Sequence, residues 1–270
     1  MRRWALEPAG LVLVDKPAGP SSFAAVRRLR GETGAKAGHA GTLDPFANGL
    51  LLVLLGSATR LARYLVGLDK RYVAEVDLRA RTTTGDPEGP LLEEQEPPSV
   101  VELERQVALL RGEVELPVPS ASAVKIGGER AYRLARRGVA LEMPLRRSTV
   151  HELELAAFDG SVARLELRVS SGTYVRSVAD ALGGHCRSLR RTAVGPFRVE
   201  DADSARILPP LEALPFLPLV ALSPEEATAV RAGKAIAREA DGRVRLAEEA
   251  ALVAVGRAHA GAIRPETVLR

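Results

Sequence analysis

The sequence has few cysteines, few side-chain amides and few lysines. Cys186 is the only cysteine among 270 residues, which excludes an intramolecular disulfide and favours a reducing compartment. Asn48, Gln95 and Gln106 are the only side-chain amides, a scarcity typical of heat adaptation. Lysine supplies five of the 38 basic residues and arginine the other 33. Since the planar guanidinium suits phosphate oxygens, this excess favours a nucleic-acid partner, with a GC-rich or heat-adapted genome as the alternative explanation.

Long hydrophobic runs are also missing. The longest apolar run, residues 50–55, is far shorter than the roughly 20 residues of a membrane span. Glu7 and Pro8 interrupt the N-terminal segment, which therefore does not resemble a signal peptide. Hydrophobic residues make up 46% and charged residues 27% of the chain, which excludes disordered and fibrous classes. We therefore expect a globular, cytoplasmic protein with no membrane association.

The net charge of +4 is distributed unevenly along the chain. Residues 86–115 carry a net charge of −7, residues 125–147 carry +5, and residues 185–198 contain four arginines and no acid. This contrast predicts a basic surface turned toward a polyanion and an acidic stretch turned toward solvent. Ordinary solvated helix faces are the alternative interpretation.

Hydrophobic periodicity and turn residues predict the secondary structure. The predicted strands are 11–14, 49–55, 71–78, 149–158 and 162–170, and the predicted helices are 21–30, 57–66, 101–110 and 130–137. Residues 31–41 and 87–98 are predicted loops, the first rich in glycine and the second acidic. Strands and helices alternate without a regular βαβ repeat, which predicts an α+β fold.

A proline-rich segment divides the chain. Residues 207–218 contain four prolines, which predicts a stiff connector. The segment that follows is too short for a large domain. Short apolar runs at 244–246, 252–255 and 262–263 predict a small β module there.

The motif at residues 38–45, GHAGTLDP, joins a glycine-rich loop to a carboxylate. Gly38 and Gly41 allow close approach to a ligand, and the buried strand predicted directly after the loop would hold Asp44 rigidly. An aspartate can act as a general base or as a covalent nucleophile. Asp-Pro is also a common turn dipeptide, so the motif alone leaves a purely structural turn as the other interpretation.

Five motifs extend this local signal between residues 10 and 198. They are GLVLVDKPAGPSS, GHAGTLDPFANGLLLVLLGSATRLARYL, KRYVAEVDL, GTYVRSVADALG and LRRTAVGPF. In this order they resemble the TruB family of bacterial tRNA pseudouridine-55 synthases. The resemblance implies a pseudouridine synthase fold, in which a central mixed, largely antiparallel sheet is flanked by helices. It also implies a catalytic domain over 1–210, an RNA-binding insert at about 112–147, and a small β-rich PUA-like RNA-binding module at 218–270.

The resemblance also implies roles for four residues of the catalytic centre. Asp44 corresponds to the catalytic carboxylate, and Arg176 is expected to pair with it and hold it ionised. Tyr72 is expected to stack on the target base and to handle the proton lost from C5. Tyr174 is expected to line the substrate pocket. Without the resemblance, Tyr72 would be interpreted as a core tyrosine and Arg176 as a surface ion pair.

Other matched positions surround this centre. His39 corresponds to the histidine that helps to hold the flipped-out nucleotides, and Leu189 to the leucine that lines the uracil pocket. Lys16 and Pro17 match a motif that packs beneath the site. Ala121 stands where most relatives carry an aromatic residue, so no stacking contact is expected there.

The resemblance implies a specific reaction. Uridine 55 in the T-loop of tRNA would be flipped out and isomerised to pseudouridine, which breaks the N1–C1′ bond and joins C5 to C1′. Such a reaction needs neither a cofactor nor a metal. The expected partner is the T-stem-loop of tRNA, and the expected state is a monomer with no obligatory protein partner. Three roles are open to Asp44: attack on C1′, addition to C6, or removal of the C2′ proton.

The predicted phosphate contacts are basic. They comprise the helix at 131–137 and Arg187, Arg190, Arg191 and Arg198.

Three other functions remain as alternatives. A guide-RNA-directed pseudouridine synthase would share the Asp44 motif, a non-catalytic RNA-binding module would have no need of Asp44, Tyr72 and Arg176 together, and an N-glycosidase would require two carboxylates about the scissile bond.

Overall fold

The computed structural model describes residues 8–122, 124–137 and 142–269. The first fourteen strands in these ranges are β1 (Gly10–Lys16), β2 (Ala37–His39), β3 (Asn48–Leu55), β4 (Lys70–Asp77), β5 (Ala80–Thr82), β6 (Leu91–Glu94), β7 (Gly112–Pro117), β8 (Lys125–Ile126), β9 (Glu129–Arg130), β10 (Leu145–Phe158), β11 (Val162–Val169), β12 (His185–Val194), β13 (Phe197–Arg198) and β14 (Asp203–Leu208). The last five are β15 (Leu219–Ala221), β16 (Ile236–Ala237), β17 (Arg243–Glu248), β18 (Ala251–His259) and β19 (Ala262–Val268). The α-helices are α1 (Ser22–Thr33), α2 (Ala62–Leu65), α3 (Val100–Leu109), α4 (Ala131–Arg136), α5 (Val175–Ala181) and α6 (Pro224–Arg231).

A ten-stranded sheet forms the main body. Its order is β14-β1-β3-β12-β4-β11-β10-β7, with β2 on β3 and β13 on β12. The β3–β12 pair is parallel and the other pairs of this sheet are antiparallel. The predicted mixed, largely antiparallel sheet is therefore confirmed. Two short hairpins, β5–β6 and β8–β9, lie outside it.

Strand β3 lies at the centre because both of its faces are apolar. Leu51, Val53 and Leu55 join the core cluster that contains residues of α1, α3 and α5. The alternating residues, Leu50, Leu52 and Leu54, join a second cluster that contains Leu65 of α2. A strand covered on both faces is a continuous hydrophobic run, which is why 49–55 was predictable as a buried strand. Helices therefore flank the sheet on both faces, as expected for an α+β fold.

Two helix predictions differ in detail from the structure. α1 continues beyond Arg30 to Thr33, because the helix ends only where Gly34 adopts a left-handed φ of 70°. The helix predicted over 57–66 begins as a 3₁₀ turn at Gly56–Leu61 before α2. Thr59 does not cap it, since its hydroxyl donates to the carbonyl of Gly56.

The two predicted loops contain short strands. β2 lies within 31–41 and is too short to show a periodicity, but it pairs with β3. β6 lies within the acidic segment 87–98 and pairs with β5. The predicted stiff connector at 207–218 is not a free linker, because Ala213 and Leu214 are fully buried in the second core cluster.

A separate five-stranded sheet forms the C-terminal part. Its order is β15-β17-β18-β19-β16, and α6 packs against it with Ala227 and Val230 buried. The sheet contacts the main body through Leu252 and Val255, which join the second core cluster. No helix among the described residues is long and apolar enough to cross a membrane.

Candidate active site

Ser22 of α1 holds the turn that presents Asp44. Its hydroxyl donates to the Leu43 carbonyl at 2.9 Å and accepts from the Leu43 amide at 2.8 Å. Ser21 caps the same helix by accepting from the amide of Ala24. Two adjacent serines therefore have separate tasks: one begins the helix, and the other joins it to residues 41–45, which we call the Asp44 turn.

Lys16 holds the Asp44 turn from the end of β1. Its side chain is fully buried, and its Nζ donates to the carbonyls of Pro17 and Pro20 at 2.8 Å and of Pro45 at 3.3 Å. Burial lowers the pKa of this ammonium, and the Asp44 carboxylate partly opposes that shift. The Gly19 amide also donates to the Pro45 carbonyl, at 2.8 Å. Lys16 therefore acts as a hydrogen-bond donor beneath the turn.

Arg191 reaches the same turn from β12. Its guanidinium donates to the carbonyls of Leu50 at 2.7 Å, Gly41 at 3.1 Å and Thr42 at 3.4 Å. The side chain is only 1% exposed, so the prediction that Arg191 contacts a phosphate is wrong. A β-carbon at Gly49 would lie 2.2 Å from the Arg191 carbonyl oxygen, so glycine at position 49 permits the two strands to approach.

Arg176 of α5 bonds the predicted catalytic aspartate. Its Nε donates to Asp44 Oδ2 at 2.9 Å, and the two side chains are 2% and 33% exposed respectively. Its other nitrogens donate to the carbonyls of Thr84 at 2.7 Å and Ala121 at 3.0 Å. The structure thus brings together two residues that are 132 positions apart in the chain, and it leaves the carboxylate open to a ligand while burying the guanidinium.

Asp86 is a second carboxylate that forms an ion pair with Arg176. Its Oδ2 lies 3.4 Å from Arg176 Nη1. Its Oδ1 accepts from the Thr84 hydroxyl at 2.6 Å and from the Glu88 amide at 3.1 Å. Asp86 is buried, so the prediction that the acidic stretch as a whole faces solvent is wrong at this residue. The sequence offered no signal for it beyond one aspartate in a Thr/Gly/Pro-rich turn.

Tyr72 and Leu189 lie on neighbouring strands of the sheet. Tyr72 on β4 pairs with Arg191 of β12, and Leu189 of β12 pairs with Ala74 of β4. Both side chains are buried and belong to the core cluster that contains Leu43 of the Asp44 turn. The strand pairing therefore places Tyr72 directly opposite Arg191, whose guanidinium bonds the turn, and places Leu189 diagonally from Tyr72.

Tyr174 positions Arg176 through the backbone. It is the half-buried N-cap residue of α5, with extended φ and ψ of −95° and 112°. Its carbonyl accepts from the Ser177 amide at 3.0 Å. Tyr174 thus begins the helix whose first turn carries Arg176.

His39 of β2 has an unsatisfied ring nitrogen. The side chain is half-buried, and Nδ1 is buried without a hydrogen-bond partner among the described residues. Burial lowers the pKa of His39, and the nearby charge of Arg191 lowers it further. The neutral imidazole is therefore favoured, and its Nδ1 has no bond to Asp44 in the described part of the chain.

The acidic and basic segments are not separated in space as expected. β7 and β10 pair in register, so Glu115 lies opposite Arg147, and their side chains form an ion pair of 2.7 Å. Antiparallel pairing of β7 with β10 thus brings the end of the acidic segment, 86–115, next to the end of the basic segment, 125–147. The same pairing places both ends of the predicted insert, 112–147, in the main sheet. Among the other predicted phosphate contacts, Arg190 forms an ion pair with Asp15 at 2.8 Å.

Two family descriptions and several known proteins match the chain. The TruB family pseudouridylate synthase N-terminal domain matches residues 27–175, and the pseudouridine synthase II TruB C-terminal domain matches residues 218–269. A tRNA pseudouridine synthase B of Azoarcus sp. (strain BH72) is 38% identical, over 96% of this chain and 94% of that protein. One of Thermobifida fusca (strain YX) is 45% identical, over 72% of each chain. A chain in the crystal structure of a Cbf5-Nop10-Gar1 complex is 25% identical with a TM-score of 0.73, over 96% of this chain and 84% of that chain.

Proposed function

The chain belongs to the TruB family of pseudouridylate synthases, and we propose that it isomerises uridine 55 in the T-loop of tRNA to pseudouridine with Asp44 as the catalytic carboxylate. One observation carries the assignment of Asp44. It is a partly exposed carboxylate whose Oδ2 bonds the buried Arg176, while its Oδ1 has no partner within the described residues. The curated relatives that match the chain are named tRNA pseudouridine synthase B, which supports tRNA as the substrate.

The geometry fits a base that has left its stack. An enzyme that acts on a nucleobase extrudes it into a pocket and holds it between aromatic and apolar side chains. Tyr72 on β4 and Leu189 on β12 offer such surfaces, in the core cluster that also contains Leu43 of the Asp44 turn. We propose that Tyr72 stacks on the flipped uracil, that Tyr174 lines the same pocket, and that His39 contacts the flipped-out nucleotides.

The chemistry needs a carboxylate that is ionised and fixed in place. Arg176 donates a charge-assisted hydrogen bond to the Asp44 carboxylate, and this bond holds the carboxylate in position. The free Oδ1 of Asp44 then faces the substrate, whether it attacks C1′, adds to C6 or removes the C2′ proton. Uracil that has been detached from C1′ is anionic, and a closed pocket with fixed donors would retain it until C5 joins C1′.

We propose that the remaining functional assignments follow the family. The catalytic domain would comprise residues 1–210 with an RNA-binding insert at about 112–147, and residues 218–270 would form a PUA-like module. The protein would act in the cytoplasm as a monomer without an obligatory partner. The single buried cysteine, Cys186, fits a reducing compartment.

The test uses the purified chain alone with an unmodified tRNA transcript. We expect pseudouridine at position 55 with the wild type and none with Asp44→Asn, because the amide can neither attack nor take a proton. Asp44→Asn should still bind the transcript, since the amide keeps the shape of the side chain. Normal turnover by Asp44→Asn would remove Asp44 from the chemistry. Activity that appears only after a guide RNA and protein partners are added would favour a guide-directed enzyme.

A further inference from the structure

The outer face of α1 carries an exposed aromatic ring beside arginines. Phe23, Arg27 and Arg30 lie at positions i, i+4 and i+7, which share one face of a helix. We call these three residues the α1 stripe. The Phe23 side chain is 60% exposed, and the Arg27 guanidinium carbon lies 5.5 Å from the ring centroid. A guanidinium in this position is attracted to the ring face.

The two arginines of the α1 stripe are available for an anion. No carboxylate among the described residues lies within ion-pair distance of Arg27 or Arg30. Arg28, on a different face of the same helix, instead pairs with Glu32 at 3.5 Å. Both stripe arginines are exposed, so binding a phosphate would not require an ion pair with any described residue to break. The stripe therefore combines an accessible aromatic surface with two positive charges that form no ion pair in the described part of the chain.

The α1 stripe begins next to the candidate active site. Phe23 directly follows Ser22, whose hydroxyl makes both hydrogen bonds to Leu43. The loop that enters the helix is also joined to the Asp44 turn, because the Gly19 amide donates to the Pro45 carbonyl. The first turn of α1 is thus held against the turn that presents Asp44. A nucleic acid whose target base reaches Asp44 passes close to this end of the helix.

We propose that the α1 stripe is an RNA-docking surface, on which Phe23 stacks against an unpaired nucleobase near the target uridine while Arg27 and Arg30 neutralise neighbouring phosphates. Aromatic rings interleaved with basic side chains are how proteins hold single-stranded nucleic acid. The positive charge of the stripe complements a polyanion. The proposal rests on the proposed function, since it takes the substrate to be a folded RNA with an unpaired loop.

The test is equilibrium binding of the full chain to a fluorescently labelled, unmodified tRNA transcript. We expect Phe23→Ala to weaken binding about tenfold, the effect of losing one base–aromatic stack. Phe23→Tyr should bind as the wild type does, and Phe23→Leu should bind as weakly as Phe23→Ala. Arg27→Gln and Arg30→Gln should each lower the slope of log Kd against log salt by about one. In turnover, Phe23→Ala should raise KM and leave kcat unchanged.

Matched controls lie on α3, which forms no hydrogen bond or ion pair with residues 41–45 in the described part of the chain. Leu109→Ala removes an apolar side chain of similar exposure, 68%, and Arg105→Gln removes an exposed arginine. Both should leave tRNA binding unchanged. Binding by Phe23→Ala equal to the wild type would overturn the proposal, and so would full binding by Phe23→Leu, since leucine cannot stack.

The two proposals fail in different ways. If the wild type forms pseudouridine and Phe23→Ala binds normally, the docking surface is wrong and the proposed function stands. If the wild type binds tRNA without forming pseudouridine, while Phe23→Ala binds weakly, the proposed function is wrong and the docking surface stands. A wild-type chain that does not bind tRNA at all overturns both.

Discussion

Arg176 lies between two carboxylates, and only Asp44 is exposed enough to meet a substrate. Asp86 and the carbonyls of Thr84 and Ala121 hold the guanidinium on its buried side. None of these three contacts involves Asp44, so we expect the arginine to keep its position when Asp44 engages a ligand. We infer that the fork geometry of the guanidinium matters at this site as well as its charge.

Replacing the planar guanidinium of Arg176 by the single ammonium group of lysine tests this inference. Arg176→Lys keeps the positive charge but cannot bond Asp44, Thr84 and Ala121 at once. We expect kcat on unmodified tRNA to fall by about 10²-fold, the usual cost of a misplaced catalytic group. The melting temperature, measured in parallel, separates this effect from unfolding. An unchanged kcat would show that charge alone suffices.

The buried side chain of Lys70 should make the free energy of unfolding depend on pH. Its Nζ donates to the carbonyls of Val66 and Leu68 and to the Ser171 hydroxyl. Burial lowers its pKa to about 8, an effect to which Arg191 contributes and which Asp69 opposes. The unfolded chain would therefore bind more protons than the native one between pH 8 and the ordinary lysine pKa of 10.5.

Stability should accordingly rise with pH across that window. Lys70→Met has no titrating group at this position and serves as the reference. We expect the unfolding free energy of the wild type, minus that of Lys70→Met, to increase from pH 8 to pH 10 in urea titrations. A constant or falling difference would contradict the lowered pKa of Lys70. The subtraction cancels the titration of other groups.

At the scale of elements, α1 has two functions. Its inner face fills the core with Val26 and Leu29, and its first turn holds the Asp44 turn through Ser22. The geometry of the candidate active site therefore depends on the packing of α1 as well as on the residues proposed to take part in the chemistry. Neighbouring serines make it possible to separate helix stability from site geometry.

Ser22→Ala removes both hydrogen bonds to Leu43 and leaves two buried backbone groups without a partner. We expect a loss of about 1–3 kcal/mol in unfolding free energy together with a lower kcat. Ser21→Ala removes only the helix cap, which costs about 0.5–2 kcal/mol, and should leave kcat unchanged. Equal kcat values for the two variants would count against a role of Ser22 in holding the turn.

Local patterns predicted some elements and missed others for physical reasons. The continuous apolar run of β3 and the alternation of apolar and polar residues around Tyr72 in β4 both follow directly from burial, so both strands were predictable. The 3₁₀ turn at 56–61 was not, because its hydrogen-bond pattern leaves no distinct periodicity. Asp86 and Arg191 were misassigned because each has a partner far along the chain: Asp86 pairs with Arg176, and Arg191 reaches a carbonyl 150 positions away. The GHAGTLDP motif marked Asp44 as a candidate but left a structural turn open, and the pairing of Asp44 with Arg176 was predicted only from the family resemblance.

At the scale of the whole molecule, the C-terminal sheet is joined to the main body by apolar and polar contacts. Leu252 and Val255 share the second core cluster with residues of β3. The hydroxyls of Tyr64 and Thr267 are 2.7 Å apart and buried, and Arg60 donates to the Val268 carbonyl at 2.5 Å. A shared core couples the unfolding of the two parts.

We therefore expect one cooperative thermal transition for the full chain, observed by calorimetry. Tyr64→Phe leaves the Thr267 hydroxyl without its partner and should lower the unfolding free energy by about 1–3 kcal/mol while keeping a single transition. Two separate transitions in the wild type would mean that the parts fold independently.

The donors beneath the Asp44 turn recognise the main chain rather than side chains. Arg191 and Lys16 bond the carbonyl oxygens of Gly41, Thr42 and Pro45, and every amino acid offers such an oxygen. Sequence drift at an exposed position such as Thr42 therefore leaves the support of the turn intact. The buried donors have no such freedom, so we expect the support of the turn to tolerate fewer substitutions at Lys16 and Arg191 than at Thr42.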